Sequence, residues 1–117
     1  MGKKDKGMQP AERPPPTIHE AELALGASGA VEHGAEIDLA SAVARRQAGS
    51  DVVVRGADLR ANRALARSIE GAVGPCVRSD PHDKAGPAAL PHFQPSQRPP
   101  EGHTFYETEN RKARRKR

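Results

Sequence analysis

Three consecutive valines, Val52-Val53-Val54, stand between Asp51 and Arg55 and are bracketed by Gly49 and Gly56. β-Branched side chains suit extended backbone, and the flanking glycines mark where that backbone turns. Successive strand side chains point to opposite faces. An uninterrupted apolar run therefore implies a strand buried on both sides. The chain must then supply strand neighbours for it and a layer to cover it.

Candidates for that cover lie on either side. Asp38 is placed to cap a helix with Leu39, Ala42 and Val43 inward, Arg45-Arg46 near its C-terminal dipole, and Gly49 to close it. Asp58 is placed to cap a longer helix over Leu59–Val73. There Leu59, Leu65 or Ala66, Ile69 and Val73 recur at helical spacing, while Arg60, Arg63 and Arg67 fall on another face. Gly74-Pro75 ends it. Thr17-Ile18-His19-Glu20 has capping-box spacing and predicts a further short helix that stops at Gly26. The three glycines of residues 26–36 read as loop. Beyond Gly74 the helical period disappears, and Cys76-Val77-Arg78, Ala89–Phe93 and His103–Tyr106 read as short strands.

These elements predict an α+β fold: one small domain over residues 17–108, with helices packed on one face of a three- or four-stranded sheet. Residues 1–16, ending in Pro14-Pro15-Pro16, read as a disordered proline-rich arm, and residues 109–117 as a disordered basic tail. A hydrophobic content of 35% and a mean hydropathy of −0.77 leave room for only a small core. It is drawn from Ile37, Leu39, Val43, Val52–Val54, Leu59, Leu65, Ile69, Val73, Leu90, Phe93, Phe105 and Tyr106.

The formal charge of +4 is uneven. Arg111, Lys112, Arg114, Arg115, Lys116 and Arg117 contribute six positive charges, so residues 1–110 sum to −2. Such a cluster binds phosphate backbones without sequence preference; a merely solubilising terminus is the alternative. Cys76 is the single cysteine, which excludes an intrachain disulfide and cysteine-based zinc frameworks. No apolar run approaches a membrane span, and the charged N-terminus lacks the apolar segment of a secretory signal. Synthesis as a cytoplasmic protein is expected, with a dedicated secretion system as the route of any export.

Chemistry concentrates in Ser79–Glu107, which holds His82, His92, His103 and all three aromatics, Phe93, Phe105 and Tyr106. Imidazole exchanges protons near neutrality, so two histidines can serve as base and acid in RNA cleavage without a metal. His92 and His103 on neighbouring strands would form such a pair, with Arg78 or Arg98 as the cation that stabilises the phosphorane. Tyr106 would position a phosphate or stack on a base. Strand alternation also allows a plainer reading, in which His92 beside Leu90 and His103 beside Phe105 are hydrogen-bonded, semi-buried groups. A divalent-metal site from His82, Asp83, His92, His103 and Asp80 has enough ligands, but its spacings match no helical histidine pair or EF-hand loop. No phosphate-binding glycine loop or nucleophile elbow is present.

In its overall pattern the chain resembles the C-terminal toxin cassettes of bacterial polymorphic (Rhs-type) toxin systems. The resembling residues are Asp51–Gly56, Ala61–Ala66 with Ile69-Glu70, Pro81-His82 before Ala85-Gly86-Pro87, Leu90–Pro95 and Gly102–Tyr106. Many such cassettes are compact α+β nucleases, often ribonucleases with sites of His, Arg, Glu or Tyr. The resemblance implies a toxin-like ribonuclease with a site at His82, His92, His103 and Tyr106, no cofactor, and a cognate immunity protein as partner. RNA is expected over DNA, with Arg78 in the catalytic set and with Arg98, Arg111, Lys112, Arg114, Arg115, Lys116 and Arg117 contacting nucleic acid. The alternative is a non-catalytic protein that binds nucleic acid or an acidic partner through its basic tail.

Overall fold

A computed structural model describes residues 14–24, 29–81, 86, 88–109 and 111–115. Over these the chain runs β1 (Thr17–Leu23), β2 (Val31–Ile37), α1 (Leu39–Gln47), β3 (Val52–Arg55), α2 (Leu59–Val73), β4 (Cys76–Ser79), β5 (His92–Pro95), β6 (Thr104–Tyr106) and β7 (Arg114–Arg115). The strands form one mixed sheet in the order β4-β5-β6-β3-β1-β2-β7. The small α+β domain is as expected, but its sheet has seven strands where three or four were predicted.

The valine strand is the centre of the sheet. β3 pairs antiparallel with β1 on one side and parallel with β6 on the other. All three valines are fully buried. Val52 and Val54 join Ile18, Phe93 and Tyr106 beneath Ala42 of α1 and Ala66 and Ile69 of α2. Val53 points the other way, into a second cluster with Ala21, Val31, Leu90, Phe105 and Ala113. Helical side chains enter only the first cluster, so both helices cover the same face. The opposite face is left to strand side chains and short connections.

Both helices begin and end where their caps predict. The Asp38 carboxylate accepts the Ser41 N–H at 2.8 Å, and Asp58 accepts from Arg60 at 3.0 Å. Leu39, expected in the core, is half-exposed, because α1 meets its neighbours further along through Ala42 and Arg46. Arg46 is fully buried and pairs with Glu70 of α2, Nε to Oε1 at 2.8 Å and Nη2 to Oε2 at 3.2 Å. Its Nη1 donates to the carbonyls of Ser50 and Glu101, and the Thr104 hydroxyl donates to Glu70 at 2.9 Å. This network pins both helices to the end of β6. A buried charge persists only when it is neutralised and hydrogen-bonded in this way.

Three segments depart from expectation. Residues 17–23 form a strand, not a capped helix: the Thr17 hydroxyl bonds the His19 ring, and the backbone pairs with both β2 and β3. A bulge between His19 and Ala21 breaks the two-residue period that would have marked this strand in the sequence. Residues 31–36, expected as loop, form with Ile37 the strand β2, whose Gly34, Ala35 and Glu36 carry no apolar pattern. The basic segment after Glu109 does not stay free over its described part. Thr108 and Arg111 are hydrogen-bonded to each other, and the Ala113 N–H donates to the buried Glu107 carboxylate at 3.1 Å. Arg114 and Arg115 then pair in parallel with Glu32 and His33. Pro14–Pro16 lead into β1 without regular structure, and residues 1–13 of the arm lie outside the described residues. Among the described residues no helix is long and apolar enough to cross a membrane.

Candidate active site

The parallel register of β3 and β6, from Val52 opposite Thr104 to Val54 opposite Tyr106, builds a ladder on the face that the helices leave open. Asp51, Val53 and Arg55 project there from one chain segment, and His103, Phe105 and Glu107 from the other. Val53 and Phe105 form an apolar rung. Asp51 meets His103 at one end of it, and Arg55 meets Glu107 at the other. His19, lateral to Val53 on β1, and His92, lateral to Phe105 on β5, extend the row outward. All four described histidines, His19, His33, His92 and His103, share this face.

At the β5–β6 end the His92 and His103 rings meet edge-on with centroids 4.5 Å apart. Asp51 Oδ1 accepts the His103 backbone N–H at 2.7 Å and lies 3.3 Å from its Nδ1. A carboxylate can only accept, so the proton of neutral His103 resides on Nδ1 and Nε2 is the free nitrogen. His92 is more enclosed. Its Nε2 contacts Gln94 Oε1 at 2.9 Å, and its Nδ1 is buried without a partner in hydrogen-bond geometry. Burial above all, and the neighbouring His103, push its pKa below the ordinary value. They outweigh Gln94, the Leu90 carbonyl and Asp51, which act in the opposite direction. The site thus joins an imidazole oriented by a carboxylate to a second imidazole held neutral.

Gly102 makes this approach possible. Its φ of 94° is one that side-chain-bearing residues rarely adopt. A Cβ there would stand 2.7 Å from the Arg46 guanidinium, 2.9 Å from the Gly49 carbonyl and 3.1 Å from Asp51 Oδ1. The buried ion pair and the catalytic candidate are therefore in contact through one glycine.

The sheet divides the other predicted residues from this pair. Arg78 and Tyr106 sit together on the helix side, with Arg78 Nη1 3.4 Å from the Tyr106 hydroxyl and 2.6 Å from Asp80. Tyr106 is buried, its ring against Phe93. Strand alternation explains the separation: Tyr106 follows Phe105 and so faces the other way. His82 and Asp83 lie outside the described residues. Arg98 pairs with Glu101 at 3.2 Å beside a separate hollow formed with Pro75 and Pro99. Lys112 is exposed, Arg111 half-buried, Arg114 lies 3.9 Å from Glu32, and Lys116 and Arg117 are outside the described residues. Among the described residues no three His, Cys, Asp or Glu side chains converge as metal ligands.

Two constellations escaped the sequence reading. At the β1–β2 end, Arg55 Nη1 donates to His33 Nε2 at 2.9 Å, and the His33 and His19 rings lie 5.2 Å apart. These three residues and Arg115 border a hollow of about 700 Å³. Burial, then Arg55 and His19, lower the His33 pKa against the pull of Glu107 and the Ala113 backbone. Nothing local in the sequence marks it, because β2 has no strand signature. The second is a trough of about 710 Å³ on the helix side, walled by Arg60, Arg63 and Arg67 of α2 and by Arg78 of β4. Its signal was available as like charges at i, i+3 and i+7 on one helix face. No protein-family model, curated protein or solved structure matches the chain.

Proposed function

We propose that this protein cleaves RNA by histidine acid–base chemistry, as a toxin-like ribonuclease, with His92 as base and His103 as acid. The observation that carries the reading is the pair of imidazoles 4.5 Å apart, one bound to Asp51 and the other held neutral by burial. In this scheme a 2′-hydroxyl displaces the Gln94 carboxamide. The ring proton that Oε1 accepted from His92 Nε2 shifts to Nδ1 on the side of the Leu90 carbonyl, and the freed Nε2 takes the 2′-hydroxyl proton. The 2′-oxygen then bonds to the adjacent phosphorus. His103 enters the step as the imidazolium, Nδ1–H on Asp51, and as the bond from phosphorus to the 5′-oxygen breaks it donates its Nε2 proton to that leaving oxygen. The products are a 2′,3′-cyclic phosphate and a 5′-hydroxyl. Asp51 is a positioning residue that sets the His103 tautomer. Arg78 and Tyr106, on the other face, have no part in the proton transfers.

Purified protein acting on total RNA tests this directly. The expected outcome is fragments with 5′-hydroxyl ends, lost in His92→Ala/His103→Ala, with far-UV circular dichroism unchanged. Asp51→Asn should retain RNA binding while lowering the cleavage rate on the order of a hundredfold or more, the scale at which acid–base contributions are lost. Cleavage by the double variant at the wild-type rate would refute the assignment. Cleavage that requires an added divalent metal would move the chemistry elsewhere.

A further inference from the structure

We infer that the trough between α2 and β4 is a docking track for the phosphate backbone of single-stranded RNA. Arg60, Arg63 and Arg67 point from one face of α2 at i, i+3 and i+7, separated by about 4.5 and 6 Å along the helix axis. Arg78 faces them from β4. Like charges at these spacings oppose helix formation. Among the described residues no carboxylate forms an ion pair with any of the three helical arginines. Several other guanidiniums are paired, Arg46 with Glu70, Arg55 with Glu107, Arg98 with Glu101 and, on the trough's own β4 wall, Arg78 with Asp80. Among the described residues no acidic side chain lines the trough. A concavity of about 710 Å³ has the size of a small-ligand site, and its row of guanidiniums is complementary in charge to a phosphate backbone.

Its position gives the strand a destination. β4 is the edge of the sheet, and Ser79, next to Arg78, pairs with His92 on the opposite face. A chain held by the arginines needs to turn around only this edge strand to bring a phosphodiester to His92 and His103. Delivery to the histidines rests on the cleavage reading above; binding in the trough does not. Contacts with phosphates remote from the reacting bond would then contribute to catalysis by fixing the substrate in register.

A fluorescent 2′-O-methyl oligoribonucleotide, which has no 2′-hydroxyl to react, separates the two. Its affinity for the full chain should fall with salt. In Arg60→Gln/Arg63→Gln/Arg67→Gln the logarithmic salt slope should be shallower by about 2 and affinity at 0.1 M salt about tenfold lower or more. An unchanged slope would overturn the proposal, as would a loss that instead follows Lys112→Gln/Arg114→Gln/Arg115→Gln. Equal arginine-dependent binding of polyglutamate would reassign the trough to an acidic protein partner. Arginine-dependent binding without cleavage of ordinary RNA would leave the track standing and remove the ribonuclease reading. Cleavage with wild-type binding in the triple variant would do the reverse.

Discussion

His92 and His103 come together because each lies an odd number of residues from an aromatic that faces the helices, one from Phe93 and three from Tyr106. Phe93 and Tyr106 enter the core, so His92 and Phe105 turn to the open side, with His103 beside them. That much was legible from strand alternation. Asp51 was not, because it meets His103 across 52 positions through a parallel pairing that no local pattern reveals. Gly102 is the residue on which this meeting depends. Gly102→Ala should lower stability by about 2 kcal/mol or more, from the left-handed backbone and the crowding at Arg46 together. Chemical denaturation would measure it, and an unchanged midpoint would refute the dependence.

The same scale governs pH. His33 and His92 have folded pKa values lowered mainly by burial, whereas in the unfolded chain both take up protons near roughly 6.5. The folded state therefore binds fewer protons below that value, and stability contributed by keeping both rings neutral is complete above it. It is lost as pH falls from roughly 6.5 toward the lowered folded values. Urea midpoints at pH 5.2 and 7.5 should differ in this direction, about where most carboxylates are still ionised. His33→Gln should shrink the difference.

At the scale of elements, α1, β3 and α2 were readable because each carries its own boundary chemistry: Asp38 and Asp58 as caps, Gly49 and Gly74 as stops, and valines between glycines. β1, β2 and β7 owe their form to pairing. β1 satisfies the free edge of β3, β2 that of β1, and β7 forms because Glu107 captures the Ala113 N–H. A local helix signal at Thr17 loses to that long-range demand. The helices are tied to each other by one buried ion pair, which reaches the sheet through the Thr104 hydroxyl and is the element-scale weak point. Arg46→Ala would leave Glu70 buried, and a loss of about 3–5 kcal/mol is expected in equilibrium unfolding. A loss below about 1 kcal/mol would mean the carboxylate finds solvent.

As a whole, the molecule keeps two charged surfaces apart with one sheet. Four guanidiniums, of Arg60, Arg63, Arg67 and Arg78, line the helix side, and the four described imidazoles collect on the open side with Asp51, Glu107 and Arg55. The sequence suggested a single site that combined both, since Arg78, His92, His103 and Tyr106 lie within thirty residues of one another. The pleat separated them. Under the proposed ribonuclease function, a nucleic-acid strand long enough to pass around β4 would unite them, the arginine trough supplying affinity and the histidine pair the chemistry.

The most direct test of the histidine pair is the pH dependence of RNA cleavage under single-turnover conditions. His92 must be neutral to act as base, and its pKa is lowered, so activity should persist as pH falls below roughly 6.5 and decline only at more acidic values. That acid limb should disappear with the activity in His92→Ala. An acid limb above pH 6.5, or a profile unchanged by His92→Ala, would contradict the account.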